Sequence, residues 1–115
     1  MSSTILNEEH RSTLIKECLT TCKSVIDGGT GIVEGSRILY SLGRDLGLQH
    51  DPTFISFLGV DSQSDHFPIG PVRDQWAADA LAREDRSREE FENDFRESII
   101  ADCQKVIRMF GGGAA

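Results

Sequence analysis

Apolar positions recur along this chain with the period of a helix, and glycine and proline mark where the period stops. From about Asn7 to Asp27, Leu14, Cys18, Cys22 and Val25 stand four, four and three residues apart, and Ile15, Leu19 and Ile26 widen the stripe. That spacing predicts an amphipathic helix facing a core. Asn7 suits its N-cap, and Glu8 and Glu9 suit the positive end of the helix dipole. Gly28 and Gly29 end it, since glycine takes the left-handed C-cap conformation without steric cost. A second segment runs from about Gly31 to Leu46 with Thr30 as its cap; Ile32, Ser36, Leu39, Gly43 and Leu46 keep phase, with Val33, Tyr40 and Leu42 beside them. Gly35 and Gly43 each cost about 1 kcal/mol against alanine inside a helix. They therefore predict close helix–helix approach, and Gly47 ends the segment.

Asp51 and Pro52 open a third element, because aspartate caps well and proline fits the first helical position. Phe54, Ile55, Phe57, Leu58 and Val60 follow it. A short buried helix is the expectation, with a strand as the alternative, because so dense an apolar run does not settle the period. Residues 61–75 break the pattern with Asp61, Ser62, Ser64, Asp65, Pro68, Gly70 and Pro71. Phe67, Ile69 and Val72 make this loop apolar enough to be pinned to the core. From Trp76 or Ala77 to Phe110, the positions Phe91, Phe95, Ile99, Cys103, Val106 and Phe110 mark one long helix, thickened by Ile100 and Ile107. Arg83 to Glu90 is nearly all charged, so the middle near Ser87 is expected to be solvated or slightly bent, and 111–115 reads as a flexible tail. The product is one all-α domain over 1–110. It holds three to four helices in a compact bundle, an antiparallel hairpin first and the long helix packed across it.

At 115 residues a second core is not expected. The chain carries 12 basic and 19 acidic residues, a net charge of −7. That speaks against a nucleic-acid binder, which needs a phosphate-neutralising surface, and against docking on an anionic membrane. Residues 51–75 hold four acids and one base, and 76–115 nine acids and six bases. A partner with a basic surface would be steered to that half, although acidity also serves solubility. No run of about 18 apolar residues exists, so no membrane span is expected. The opening Met1-Ser2-Ser3-Thr4 lacks a leader's basic and apolar regions. Three cysteines make no disulfide framework, and a cytoplasmic setting follows.

Gly28-Gly29-Thr30-Gly31 before a helix has the look of a phosphate cradle, but no lysine follows and no strand precedes, so turn and cap explain it better. Cys18, Cys22 and Cys103 offer three thiols, yet all lie on apolar stripes, where free cysteine acts as a small hydrophobe. No metal and no cofactor are expected. Asp61, Asp65 and His66 form the one acid–histidine group in the irregular segment. His66 stands where a calcium loop needs glycine. An acid–base pair is one reading; turn-forming acids beside a surface histidine are the other. His10 and His50 lack an acid at a telling spacing, and no serine sits in a nucleophile elbow. Phe67, Trp76 and Tyr40 are the aromatics most apt to show at a surface, although Trp76 reads more readily as a core plug.

Two stretches carry a resemblance: Ile32-Val33-Glu34-Gly35-Ser36-Arg37-Ile38-Leu39, and Phe57-Leu58-Gly59-Val60-Asp61-Ser62 running on to Asp65, Pro68-Ile69-Gly70, Arg73 and Trp76. They resemble a group of small uncharacterised bacterial proteins, which implies a bacterial, cytoplasmic setting and no particular activity. In size and charge the chain also looks like the immunity partners of secreted toxins, an analogy that does not fix function. The leading expectation is a non-enzymatic acidic protein-binding module, with a toxin-neutralising immunity-type protein as its concrete form, docking through Asp61, Asp65, His66, Phe67, Arg73 and Trp76. The rivals are a small hydrolase or isomerase built on Asp61, Asp65 and His66, and a homo-oligomeric structural protein self-associating through residues 54–60.

Overall fold

The computed structural model describes residues 8–111, and among them there are helices and no strand. The elements are α1 (Glu8–Asp27), α2 (Ile32–Asp45), α3 (Pro52–Gln63), a 3-10 segment (Gly70–Gln75) and α4 (Ala78–Phe110). The all-α class follows the apolar periods. Asn7 and residues 112–115 lie outside the described residues, so the cap and tail expected there are not addressed.

The stripe of α1 is buried at Leu14, Cys18, Cys22 and Val25. Gly28 closes the helix at φ 90°, in the left-handed region that glycine favours. The start of α2 departs from expectation. Gly31, not Thr30, is the N-cap, and it has no side chain to cap with. The Thr30 hydroxyl instead meets the Ser24 hydroxyl at 2.7 Å, tying the turn back to α1. Both interior glycines sit where helices crowd: a Cβ on Gly35 would collide with Val25, and one on Gly43 with the Phe54 ring.

Helix wins over strand for the third element. The Asp51 side chain accepts from the Thr53 N–H at 2.8 Å, with Pro52 beginning the first turn. Phe54, Phe57 and Val60 then point inward on one face. Those three side chains belong to the chain's own core, while Ile55 of the same run stays exposed. The helix also runs further than expected, to Gln63, which puts Asp61 in its last turn and not in a loop.

α2 packs closely on α3 and α1 on α4, and α1 joins α2 in the opening hairpin. Their shared core gathers Leu14, Val25, Ile32, Leu39, Phe54, Phe57, Ile99 and Val106 among others. The shape is elongated, at 51 × 32 × 22 Å. Its radius of gyration is 15.5 Å, against about 13 Å for a compact chain of this length. The cause is α4: its 33 residues make a rod of about 50 Å. No residue from 78 to 91 is buried. No helix among the described residues is long and apolar enough to cross a membrane.

Candidate functional site

The segment between α3 and α4 is irregular in backbone but firmly attached. Phe67 is buried, with its ring centroid 5.8 Å from that of Phe91, which in turn lies 4.8 Å from Phe95. Arg73 makes two parallel bonds to Asp85 of α4, at 2.8 and 2.9 Å, and donates a third to the Pro68 carbonyl at 3.1 Å. Such forked guanidinium–carboxylate pairs fix orientation as well as position. The bond from Arg73 holds the Asp85 carboxyl below its ordinary range.

Arg88 extends this polar chain, 3.8 Å from Asp85 and 3.9 Å from Glu92. Glu92 finishes it. Its Oε2 accepts the backbone N–H of Val33 at 2.9 Å, across 59 positions of sequence. A distant carboxylate thus supplies the cap that Gly31 cannot. It meets one of the unsatisfied amides at the positive end of α2. Gly31 makes room for it: a Cβ there would stand 3.0 Å from Glu92 Oε2. The cleft formed by Gly31, Glu34, Ile69, Arg88 and Glu92 holds about 170 Å³. Its helix end is already served by Glu92, so it gains no anion site from the dipole.

The residues expected to form a binding site divide into two groups. Asp61 is engaged: Arg37 Nε lies 3.2 Å from its Oδ1, and Arg37 also donates to the Ser64 carbonyl. Arg73 is taken by Asp85, and Phe67 is interior; neither belongs to an open binding surface, contrary to expectation. Asp65 and His66 are exposed, the latter with its ring 4.0 Å from the Phe67 ring. Among the described residues, no hydrogen bond or ion pair joins any two of Asp61, Asp65 and His66. Trp76 is not the core plug that the sequence favoured; it is 38% exposed. It occupies an extended residue before α4 begins, at φ −101° and ψ 145°, off the end of the helix whose stripe would have drawn it inward.

Asp65, His66, Val72, Asp74, Trp76 and Asp79 are exposed side chains along this shoulder of the chain between α3 and the start of α4. The 3-10 segment has no buried residue of its own. Val72 is 44% exposed and stands four residues before Trp76 in the chain. Neither Asp65 nor Asp74 forms an ion pair among the described residues. Sequence reasoning missed Asp85, Arg88 and Glu92 as a structural chain. The signal was present: counting back from Phe95 in steps of three and four along the apolar stripe lands on Glu92, Arg88, Asp85 and Leu81.

The three thiols belong to the core. Cys18, Cys22 and Cys103 are fully buried. Burial pushes the Cys18 thiol up to about 11. A hydrogen bond with Cys103, followed by burial, raises Cys22 as well. Those two shifts hold Cys18 and Cys22 in the protonated form, and a protonated thiol is neither nucleophile nor metal ligand. Among the described residues no group of three His, Cys, Asp or Glu is placed to hold a metal ion. A depression of about 620 Å³ along the outside of α4, from Asn93 to Gln104, is walled by that helix alone.

The fold is therefore that of a small all-α bundle with one long helix projecting past its core, and an apolar, acid-flanked shoulder braced against the projection. Comparison with protein-family models, with characterised proteins and with solved structures finds no match.

Proposed function

We propose that this protein is a non-enzymatic binding module that docks a basic protein partner through the shoulder around Val72 and Trp76. The observation that carries this reading is the exposure of Val72, on a 3-10 segment with no buried residue of its own, and of Trp76 just after it, in a stretch braced by the Arg73–Asp85 fork and by Phe67. A flexible loop would lose much binding energy to ordering; a braced one loses little. The free carboxylates of Asp65 and Asp74 favour a partner with a basic surface. A bacterial, cytoplasmic immunity-type protein that neutralises a basic toxin is the concrete form of the proposal. The acid–histidine reading is less favoured, because Arg37 takes Asp61 and no bond unites the group.

The test is native mass spectrometry of the protein purified gently from its source cells, beside Val72→Glu. A second chain that accompanies the wild type and is lost from the variant is the expected result. A bare monomer, or a second chain indifferent to Val72→Glu, overturns the proposal.

A further inference from the structure

Resting on that docking reading, we infer that the partner's anchor is an arginine side chain laid on the Trp76 ring between Asp74 and Asp79. Trp76 is the single tryptophan of the chain and is exposed. Indole has the strongest attraction for cations among aromatic side chains. A guanidinium is planar and weakly hydrated, so it stacks on a ring and bonds a carboxylate at its edge at the same time; an ammonium does not combine the two. Carboxylates flank the tryptophan in sequence. Among the described residues Asp74 has no ion pair, and Asp79, whose Oδ1 also accepts the Ala80 N–H at 3.0 Å, holds a loose one 3.6 Å from Arg83 with its side chain 81% exposed. The neighbouring guanidinium of this chain is committed elsewhere, since Arg73 is forked onto Asp85. Val72, four residues earlier, is exposed as well and adds apolar surface to the same stretch of chain.

Because Trp76 is the lone tryptophan, its fluorescence reports on this site alone. Titration of the full chain with a hexa-arginine peptide is expected to change that emission saturably. Binding should be at least about threefold tighter than for hexalysine, the size of a modest stacking preference. Asp74→Asn should weaken hexa-arginine about threefold. Asp45→Asn, an exposed acid at the far end of α2, controls for net charge and should leave the affinity unchanged. Circular dichroism checks that each variant remains folded. The inference is overturned by a flat titration, by equal affinity for arginine and lysine, or by equal effects of Asp74→Asn and Asp45→Asn.

The two proposals fail separately. A partner lost from Val72→Glu beside a flat arginine titration keeps the docking surface and removes the arginine anchor. A specific arginine response beside a partner indifferent to Val72→Glu keeps the cation site and removes the docking surface.

Discussion

The two halves of α4 are one continuous helix held by different forces. From Ile99 onward its inner face buries Ile99, Cys103 and Val106 against α1 and the rest of the core. From Ala78 to Phe91 nothing is buried, and the same face presents Leu81, Asp85 and Arg88 before reaching Glu92. The first half is secured by pegs: Arg73 on Asp85, Phe67 on Phe91, and Glu92 on the amide of Val33. Local pairs such as Arg83–Asp79 and Arg88–Glu92 assist, each worth about 0.2–0.5 kcal/mol. Such pairs are too weak to nucleate a helix, but they suffice to extend one already begun in the buried half. The difference teaches that a helix can outrun its core, provided a few directional contacts meet it, and that its far end is then free to support a surface.

The contrast breaks most easily at Ile99. Ile99→Ala should cost about 2–5 kcal/mol in urea denaturation, through lost burial and a residual cavity. Leu81→Ala, on the same face of the first half, should cost under about 1 kcal/mol. Equal costs would mean that both halves rest on burial after all. Next in size is Glu92→Ala, expected to destabilise by about 1–3 kcal/mol by orphaning a buried amide. Hydrogen exchange should locate the loss at Val33, and Glu92→Gln, which keeps an acceptor, should recover most of it.

Two carboxylates sharpen the comparison because their signs oppose. Asp85, in the first half, is held below its ordinary range by the Arg73 bond. Its contribution is present above that ordinary range and is lost as pH falls through the depressed value. Asp85→Asn should therefore flatten the acid limb of the stability profile. Asp102, in the second half, is raised: burial outweighs the pull of Lys105 at 3.7 Å. Its ionisation weakens the fold as pH rises through the carboxyl range. Asp102→Asn should accordingly raise the urea midpoint near neutrality, and the gain should vanish on acidification. Two variants with the same sign of pH dependence would defeat this account. The smallest effect belongs to Val72→Glu, expected within about 0.5 kcal/mol of the wild type in stability. A larger loss would return Val72 to the core.

Most of the fold was legible because it is written locally. Leu14, Cys18, Cys22 and Val25 declare a helix face by spacing alone, and Asp51-Pro52 declares a start by chemistry that acts within one turn. Gly35 and Gly43 were legible as contacts because a mid-helix glycine has few other uses. What escaped was decided at a distance. Thr30 looked like a cap until Ser24 claimed its hydroxyl. Asp61 and Arg73 looked available until Arg37 and Asp85 took them. Trp76 looked interior because its size favours burial, but α4 begins two residues later and leaves it outside. The candidate site was thus legible as a region, while which of its side chains stay free depended on partners far away in sequence.

The cap on α2 also bears on how the chain is made. Synthesis runs from the N-terminus, so Gly31 and Val33 emerge from the ribosome long before the carboxylate that completes their turn. During that interval the leading end of α2 has no protein acceptor at Val33 and is answered by water. Only when about four-fifths of the chain has emerged, and Glu92 has swung back over 59 positions, is the first hairpin sealed. A nascent chain stalled before that point carries an α2 open at one end, and the loose turn marks the molecule as unfinished.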